Sequence, residues 1–339
     1  MTYAAIDLHT RESQIRIVDA NGRVLVERRI PTRRDRFTAA LAAFRPIRVL
    51  LESSTESEWV AQHLEADGCE VIVADPSYAP MYGTRSRVIK TDRRDVAALA
   101  DACRGGFYRA AHRTTETQRA RRQQLRVREQ LVRMRVHALN AIRTIVRSEG
   151  GRIGGRLVGS YRTRVASVAL PASTRTAIEP LLRAIEALTP LVKDLDRQLE
   201  AEARRDGVAQ RLMTMPGVGP ITALTFRARV DAIERFRDGG ALTAYFGLVP
   251  REMSSGDSRR RGTITKAGDA TMRSLLVQAA WAHWRVGRAR TPLTEWAQRL
   301  ATRRGKRTAV VALARRLARI LFAMWRDGTT FAGRPVAVA

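Results

Sequence analysis

The order of short β-prone runs near the start constrains the fold of this chain more than any other feature of its sequence. Three runs follow one another closely, at 2–8, 12–19 and 23–30, and an Asn-Gly pair between the last two is a hairpin signal. Further apolar runs at 47–51 and 70–74 alternate with helical segments. Hairpin-linked strands followed by alternating helix and strand predict a mixed α/β sheet rather than a purely parallel one.

Acidic residues stand at two of these strand ends. Asp7 closes the first run and Glu52 follows the fourth. This order matches the ribonuclease H-like arrangement, in which the first and fourth strands lie side by side, so the two carboxylates would be neighbours. Thr91 can cap a helix that begins at Asp92, and Asp92 and Asp95 then project from one face of its first turn. The four carboxylates are predicted to converge on one spot.

Clustered carboxylates predict a site for a divalent cation. Mg²⁺ prefers oxygen ligands of this kind, and Mn²⁺ could bind the same set. Any single acid is more often a solvated surface group. Asp7 and Glu52, however, end strands that look buried, where an unpaired carboxylate would be costly. A metal site is therefore favoured over a set of unrelated surface acids.

The chain as a whole is strongly basic. It has 61 Lys and Arg against 33 Asp and Glu, which gives a formal net charge of +28. Most of these cations are arginine, whose guanidinium can fork onto phosphate oxygens. Nucleic acid is therefore the favoured partner. The alternatives are a ribosomal-type basic protein, an anionic membrane surface, or arginine enrichment from a GC-rich genome.

Length and composition limit the general class. With 339 residues, 45% of them hydrophobic, the chain is long enough for two domains with cores of their own. Cys69 and Cys103 lack metal-ligand spacing, so neither zinc nor a disulfide framework is indicated. No run approaches the roughly 20 apolar residues that span a bilayer, and the start lacks a signal-peptide pattern. We therefore expect no membrane partner and a cytoplasmic, nucleoid-associated location.

A long polar helix is predicted from Thr114 to about Ser148. Its apolar residues recur every seven positions, which favours a coiled-coil or helical-hairpin arm. A second long helix, at about 173–205, could pair with the first or with a second protomer. Arginines cover the other faces of the first helix, and we interpret them as a stripe that binds nucleic-acid backbone rather than as a solvated face. This stripe includes Arg121, Arg122, Arg126 and Arg133.

The region after residue 206 is predicted to be mostly helical. Its helices are expected at about 208–214, 219–229, 238–246, 268–287, 292–302 and 306–326. The segment MPGVGPI at 215–221 resembles the turn of a helix-hairpin-helix. Gly217 and Gly219 would let the backbone approach DNA, and the next helix would offer free N–H groups to a phosphate. A plain glycine-proline connection is the alternative, and the basic context favours binding.

A second motif in this region places hydroxyl groups among cations. Ser254, Ser255 and Gly256 are followed by four basic residues, Arg259, Arg260, Arg261 and Lys266. Such a cluster could clamp a phosphate and stabilise the charge that develops on it during reaction. On these residues alone a simple turn is favoured, because a lone Ser-Gly pair is usually a turn. In addition, no neighbouring histidine supplies an obvious base.

Several segments, in order along the chain, resemble a known family. These segments are AIDLH, LLESS, KTDRRDVAALA, MPGVGPITA, FGLVPREMSSG and GTITKAGDATMRSLLVQAAW. They resemble the DEDD transposases of the insertion sequence 110 family, which are relatives of the Piv/MooV DNA invertases. The resemblance covers nearly the whole chain. It implies a RuvC-like catalytic domain over 1–112, a basic coiled-coil connector over 113–206 and a helical C-terminal transposase domain over 207–339.

The resemblance also implies roles for individual residues. Asp7, Glu52, Asp92 and Asp95 would be the catalytic, metal-holding tetrad. The family's serine nucleophile falls in the Ser254-Ser255-Gly256 stretch, and Ser255 is chosen over Ser254 because it directly precedes the glycine. This replaces the turn interpretation. The tetrad metal would activate the serine and the scissile phosphate, and the resulting phosphoserine link to DNA would be resolved by strand exchange.

The partners follow from the same resemblance. The family implies dimers that pair donor and target DNA duplexes in a tetrameric synapse, and several members use a bridge RNA to choose these sites. Inverting relatives share the motifs, so insertion and inversion both remain open. The alternatives to a recombinase are a RuvC-like structure-selective nuclease, which would use activated water, and a non-catalytic binder of nucleic acid.

Overall fold

The computed structural model describes residues 1–83, 91–155, 158–252, 261–286 and 291–332. Within these ranges the chain divides into two compact units, Met1–Arg113 and Thr114–Ala339. The resemblance further implies that the second unit consists of a connector over 113–206 and a C-terminal domain over 207–339. That subdivision stays a prediction. Among the described residues, no helix combines the length and apolar character needed to cross a membrane.

The first unit is built on one mixed sheet. Its strands in the described part are β1 (Thr2–Asp7), β2 (Glu12–Val18), β3 (Val24–Pro31), β4 (Ile47–Glu52) and β5 (Glu70–Ala74). Their order across the sheet is β3-β2-β1-β4-β5. The first three strands form an antiparallel meander, whereas β1, β4 and β5 run parallel. The predicted mixed sheet is confirmed, and so is the expected pairing of the first and fourth strands.

Helices cover both faces of this sheet. They are α1 (Arg34–Leu41), α2 (Ser57–Ala66) and α3 (Asp92–Gly105), with short 3-10 turns at Ala42–Phe44 and Ala79–Tyr82. Because side chains alternate along a strand, Ile6 and Val49 face Phe37 of α1 and Leu64 of α2 on one side. Ala5 and Leu50 face α3 on the other side. Asp7 lies two residues after Ala5, and Glu52 lies two residues after Leu50. Both acids are therefore on the face of the sheet that α3 covers.

The start of α3 is the one that the sequence predicts. Thr91 is the N-cap, and its hydroxyl accepts a hydrogen bond from the backbone N–H of Arg94 at 3.3 Å. Val96, Leu99 and Cys103 are buried against the sheet. The helix ends before Gly106, which has a left-handed φ of 73°. These features hold Asp92 and Asp95 at the first turn of a well-packed helix.

The second unit begins with a long helical hairpin. Its helices are α4 (Glu116–Ser148), α5 (Tyr161–Ala166) and α6 (Ala172–Arg205). Arg128 on α4 contacts Asp196 on α6 at 2.6 Å, and Glu149 after α4 accepts a hydrogen bond from Thr174 at 3.1 Å. As residue numbers rise along α4, the residues that they contact on α6 have falling numbers. The two helices are therefore antiparallel. Of the two pairings that the sequence left open for α6, pairing with α4 in the same chain is present.

The remaining helices pack around one core. They are α7 (Gly207–Met213), α8 (Pro220–Val230), α9 (Gly239–Tyr245), α10 (Ala270–Val286), α11 (Pro292–Arg304) and α12 (Lys306–Arg326). Buried side chains such as Phe226, Phe246, Leu276 and Leu317 fill the space between them. The structure adds strands β6 (Pro250–Glu252) and β7 (Arg261–Ile264), which pair antiparallel. The sequence did not predict them, because they are short and polar and lack an alternating pattern.

Candidate active site

The structure brings the four predicted acids to one edge of the sheet. Asp7 ends β1 and Glu52 ends β4, and these strands are parallel neighbours in the register that pairs Ile6 with Leu51. Asp92 and Asp95 lie in the first turn of α3, which packs on the same face. Asp95 is buried, with 8% of its surface exposed, while the side chain of Asp92 is 44% exposed. The acids thus line a site that is closed on one side and open on the other.

The electrostatics of Asp7 show that the four carboxylates are close enough to interact. Burial raises the pKa of Asp7 above its ordinary value, an effect that the neighbouring His9 opposes. The negative charges of Glu52, Asp92 and Asp95 raise the pKa further. A partly buried carboxylate that faces three other acids is a candidate functional residue.

His9 joins the acids as a further potential ligand. Its Nε2 lies 3.4 Å from Oδ2 of Asp7 and 3.8 Å from Oδ1 of Asp92. Ligand atoms of Asp7, His9 and Asp92 all lie within 4.8 Å of one another. This donor set, mainly oxygen with one imidazole, fits a divalent metal. The signal for His9 in the sequence is its position two residues after the strand-ending Asp7.

Tyr82 supports Glu52 from the side. Its hydroxyl donates a hydrogen bond to Oε1 of Glu52, and the tyrosine ends a short 3-10 turn. A hydrogen bond of this kind restrains the rotation of a carboxylate that serves as a ligand. Tyr82 was not predicted from the sequence, because no local pattern relates it to Glu52, 30 residues earlier.

Arg29 is a cation at the exposed edge of the acid cluster. Its Nη2 donates to Oδ2 of Asp92 at 2.8 Å, and its Nη1 lies 3.6 Å from Glu12. A groove of about 420 Å³ opens there and is lined by residues that include His9, Arg29 and Asp92. This arginine was not predicted from the sequence either. Its place depends on the register of β3 against β2 and on the packing of α3, which the hairpin signal does not reveal.

Arg121 requires a correction to the predicted stripe on α4. The residue is buried, with 6% of its surface exposed. Its guanidinium pairs with Glu202 and, at 2.9 Å, with Asp206. The prediction that Arg121 contacts a nucleic-acid phosphate is wrong for this structure, because the side chain faces α6 and both acids already satisfy it. The helical pattern in the sequence shows on which face of α4 a residue lies. It does not show which neighbouring helix covers that face.

The other predicted arginines of α4 differ in their surroundings. Arg122 is half-buried and donates to the carbonyl oxygens of Ala228 at 2.8 Å and Arg229 at 3.3 Å, at the end of α8. Arg126 and Arg133 are exposed. Both line a second groove of about 420 Å³ between α4, α8 and α10. This groove is the part of the stripe that is open to a ligand.

The two glycines of the MPGVGPI turn have different environments. Gly217 has a φ of 92°, and a Cβ there would collide with the carbonyl oxygen of Ala279 and lie 2.9 Å from the amide nitrogen of His283. The close approach that Gly217 permits is therefore to α10, not to an open surface. Gly219 is exposed and is the N-cap of α8, and a Cβ there would meet none of the described atoms within 4 Å. The helix terminus at Gly219 is the open part of the turn.

The predicted serine motif lies in the connection between β6 and β7. Ser254, Ser255, Arg259 and Arg260 lie outside the described residues, and of Arg261 only the backbone is described. At the base of this hairpin the backbones of Gly247 and Gly268 pass so close to neighbouring carbonyls that a Cβ at either would collide. Lys266, exposed and with a φ of 56°, donates its N–H to Gly247.

The site and fold define the first unit as a mixed α/β domain with a carboxylate-rich candidate metal centre, attached to a helical second unit. Family comparisons match parts of both units. A DEDD transposase family of insertion sequence IS110 matches residues 4–149, and the "Transposase IS116/IS110/IS902 family" matches residues 209–307. The chain belongs to this family of transposases.

Relatives match over nearly the full length. A "Probable family 20 transposase" of Pseudomonas aeruginosa is 30% identical over 96% of this chain and 97% of its own. The transposase for insertion sequence element IS1328 of Yersinia enterocolitica is 29% identical over 98% of both chains. The transposase for IS1111A of Coxiella burnetii is 28% identical over 96% of this chain and 90% of its own. The chain is thus a DNA transposase, with the divalent metal dependence that the DEDD family implies.

Proposed function

We propose that this transposase cleaves and rejoins DNA at specific sites through a covalent phosphoserine intermediate. Asp7, Glu52, Asp92 and Asp95 would hold the metal, which is Mg²⁺ with Mn²⁺ as a substitute, and Ser255 would be the nucleophile. The observation that carries the proposal is the placement of the acids: Asp7 and Glu52 end parallel neighbouring strands, and Asp92 and Asp95 lie in the first turn of α3 on the same face. The β3-β2-β1-β4-β5 sheet supports a RuvC-like, ribonuclease H-like fold for this unit.

The proposed reaction conserves the number of phosphodiester bonds. The oxygen of the serine hydroxyl attacks the scissile phosphorus and loses its proton, while the bond from phosphorus to the departing DNA oxygen breaks and that oxygen gains a proton. The bound metal would supply charge stabilisation for the phosphate and acidify the attacking hydroxyl. Strand exchange is the reverse step, in which a DNA hydroxyl from the other duplex displaces the serine.

Asp7 and Ser255 belong to different units of the chain. The reaction therefore requires that the two residues meet, either within one chain or across protomers. The exposed apolar side chains of Val127 and Met134 on α4 lie seven positions apart on one helix face, as a coiled-coil seam requires. They support a coiled-coil dimer, which we propose assembles into a tetramer on DNA.

Nucleic acid would contact the basic surfaces of the second unit. Arg126 and Arg133 in the groove beside α4, and Lys266 after the end of β7, are exposed and suited to phosphate. The open N-terminus of α8 at Gly219 could hold a further phosphate, in keeping with a helix-hairpin-helix. We propose the same role for Arg259, Arg260 and Arg261. A bridge RNA that selects donor and target sites on nucleoid DNA is the partner that the family resemblance favours.

Trapping of the covalent intermediate tests this function. Cells would carry a plasmid with the complete insertion sequence, and protein-linked DNA would be recovered after denaturation. We expect adducts from the wild type and from Ser254→Ala, and none from Ser255→Ala or Asp7→Ala. Adducts in both of the last two variants would contradict the mechanism. Loss of adducts in Ser254→Ala but not in Ser255→Ala would reassign the nucleophile.

The same experiment separates the alternative functions. Cleavage without any adduct would identify a RuvC-like nuclease that uses water. Absence of cleavage with the complete element would favour a non-catalytic binder of nucleic acid. Sequencing of RNA that co-purifies with the wild-type protein tests the guide: an RNA from the ends of the element is expected, and only random cellular RNA would exclude a bridge RNA.

A further inference from the structure

Arg29 lies in line with Asp7 across the sheet. Asp7 on β1 pairs with Gln14 on β2, and Gln14 pairs with Arg29 on β3. Residues that oppose one another in register share a face of the sheet, so all three point towards α3. The long side chain of Arg29 then extends to Asp92, which its guanidinium contacts at 2.8 Å. Strand pairing thus delivers a cation to the acid cluster.

This ion pair is not required to hold α3 on the sheet. The first turn of α3 has a separate attachment through Arg93, which pairs with Glu27, and Glu27 also pairs with Arg16. Buried side chains of α3 and the Thr91 cap add to this attachment. Arg29 and Asp92, in contrast, are 54% and 44% exposed in their side chains. A pair of such exposed groups contributes little to stability, so its partners can exchange readily.

The charges of the site indicate what the arginine would do once metal is bound. A bound metal would offset part of the charge of the four carboxylates, and a scissile phosphodiester then adds one negative charge. Arg29 supplies a further positive charge at the open edge of the cluster, beside the groove lined by His9 and Asp92. A guanidinium binds phosphate oxygens through charge-assisted hydrogen bonds, as it now binds the carboxylate.

We propose that Arg29 is a catalytic residue that exchanges partners. Without metal, its guanidinium donates a hydrogen bond to the carboxylate of Asp92. When metal and DNA are bound, it would donate instead to a non-bridging oxygen of the scissile phosphate. This inference rests on the proposed function of the tetrad. It predicts that removal of the side chain leaves metal binding unchanged or slightly tighter while cleavage falls, whereas a structural role would weaken both.

Two measurements on Arg29→Ala test the inference. Calorimetric titration of the purified full chain with Mn²⁺ is expected to show unchanged affinity, or affinity up to about threefold tighter, because a competitor for Asp92 is gone. Strand cleavage of a plasmid that carries the complete element is expected to fall about 100-fold. Arg29→Lys keeps the positive charge but loses the planar fork of N–H donors. Its strand cleavage is expected to be about tenfold faster than that of Arg29→Ala.

Arg28→Ala is the matched control. Arg28 is the exposed neighbour of Arg29 on β3 and points to the opposite face, so its removal should change neither quantity. Cleavage by Arg29→Ala within about threefold of wild type would overturn the inference, and so would Mn²⁺ affinity more than about threefold weaker. If the wild type itself leaves the element uncut and Asp7→Ala binds Mn²⁺ normally, it is the proposed function of the tetrad that fails.

Discussion

Arg121 on α4 and Asp206 at the start of α7 form an ion pair of 2.9 Å in which the arginine is almost fully buried. Asp206 is also the N-cap of α7, since its Oδ1 accepts hydrogen bonds from the backbone N–H groups of Val208 and Ala209. Burial opposes ionisation of Asp206, but these hydrogen bonds and Arg121 lower its pKa overall. One carboxylate therefore joins the helical hairpin to the rest of the second unit.

Asp206→Ala is expected to destabilise the protein by about 2–4 kcal/mol, because it removes a helix cap and leaves a buried guanidinium with one acid fewer. Urea unfolding at neutral pH measures the change. The control is Asp194→Ala, which breaks an exposed pair with Arg197 and should cost less than about 0.5 kcal/mol. If the two substitutions lower the free energy of unfolding equally, the buried pair contributes no more to stability than the exposed pair.

The two glycines of the MPGVGPI turn should respond differently to alanine. Gly217→Ala places a methyl group against the backbone of α10 at a positive φ, so we expect a loss of about 2–4 kcal/mol. Gly219→Ala meets open space at an ordinary φ and should change stability by less than about 1 kcal/mol. Thermal unfolding of the two variants measures the difference. A stable Gly217→Ala protein would show that α10 can move away from the turn.

His283 should make stability depend on pH. It is buried, its Nδ1 lies 3.1 Å from the carbonyl oxygen of Pro216, and burial lowers its pKa below the ordinary value of 6.5. Near pH 6 the folded state then binds fewer protons than the unfolded state, so this contribution to stability is lost as pH falls below 6.5.

The asparagine variant isolates this effect. The amide of His283→Asn can still donate to Pro216 but does not titrate, so the fall in urea midpoint between pH 7.5 and pH 5.5 should be smaller than in the wild type. All other residues are the same in the two proteins, so their contributions cancel in the comparison. An equally large fall in the variant would contradict the assignment.

Tyr82→Phe tests the support of Glu52. Loss of the hydroxyl leaves one oxygen of a ligand carboxylate less restrained, and we expect Mn²⁺ affinity to fall about tenfold. Calorimetric titration provides the measurement, and unfolding curves should show little change. Tyr3→Phe is the control, because Tyr3 lies at the end of β1 that is far from Asp7. This variant should bind Mn²⁺ like the wild type. Unaltered affinity in Tyr82→Phe would mean that Glu52 is positioned by other contacts.

Local patterns in the sequence were sufficient for most of the architecture. The strand runs, the Asn-Gly hairpin and the Thr91 cap each depend on residues that are close in the chain, and the structure has all of them. Helix bounds in the second unit were predicted to within a few residues for the same reason. The positions of Asp7 and Glu52 also followed, because an acid at the end of each of two adjacent parallel strands must reach the same edge of the sheet.

The sequence by itself determined which elements form and that acids end the first and fourth strands, since periodicity and capping act over a few residues. Only the tertiary structure decided which distant groups meet. The burial of Arg121 against α6, the packing of Gly217 on α10 and the reach of Arg29 to Asp92 each depend on helix packing or strand register. Side chains far apart in the chain carry no local signal of their partners, because the contact exists only after the elements have packed.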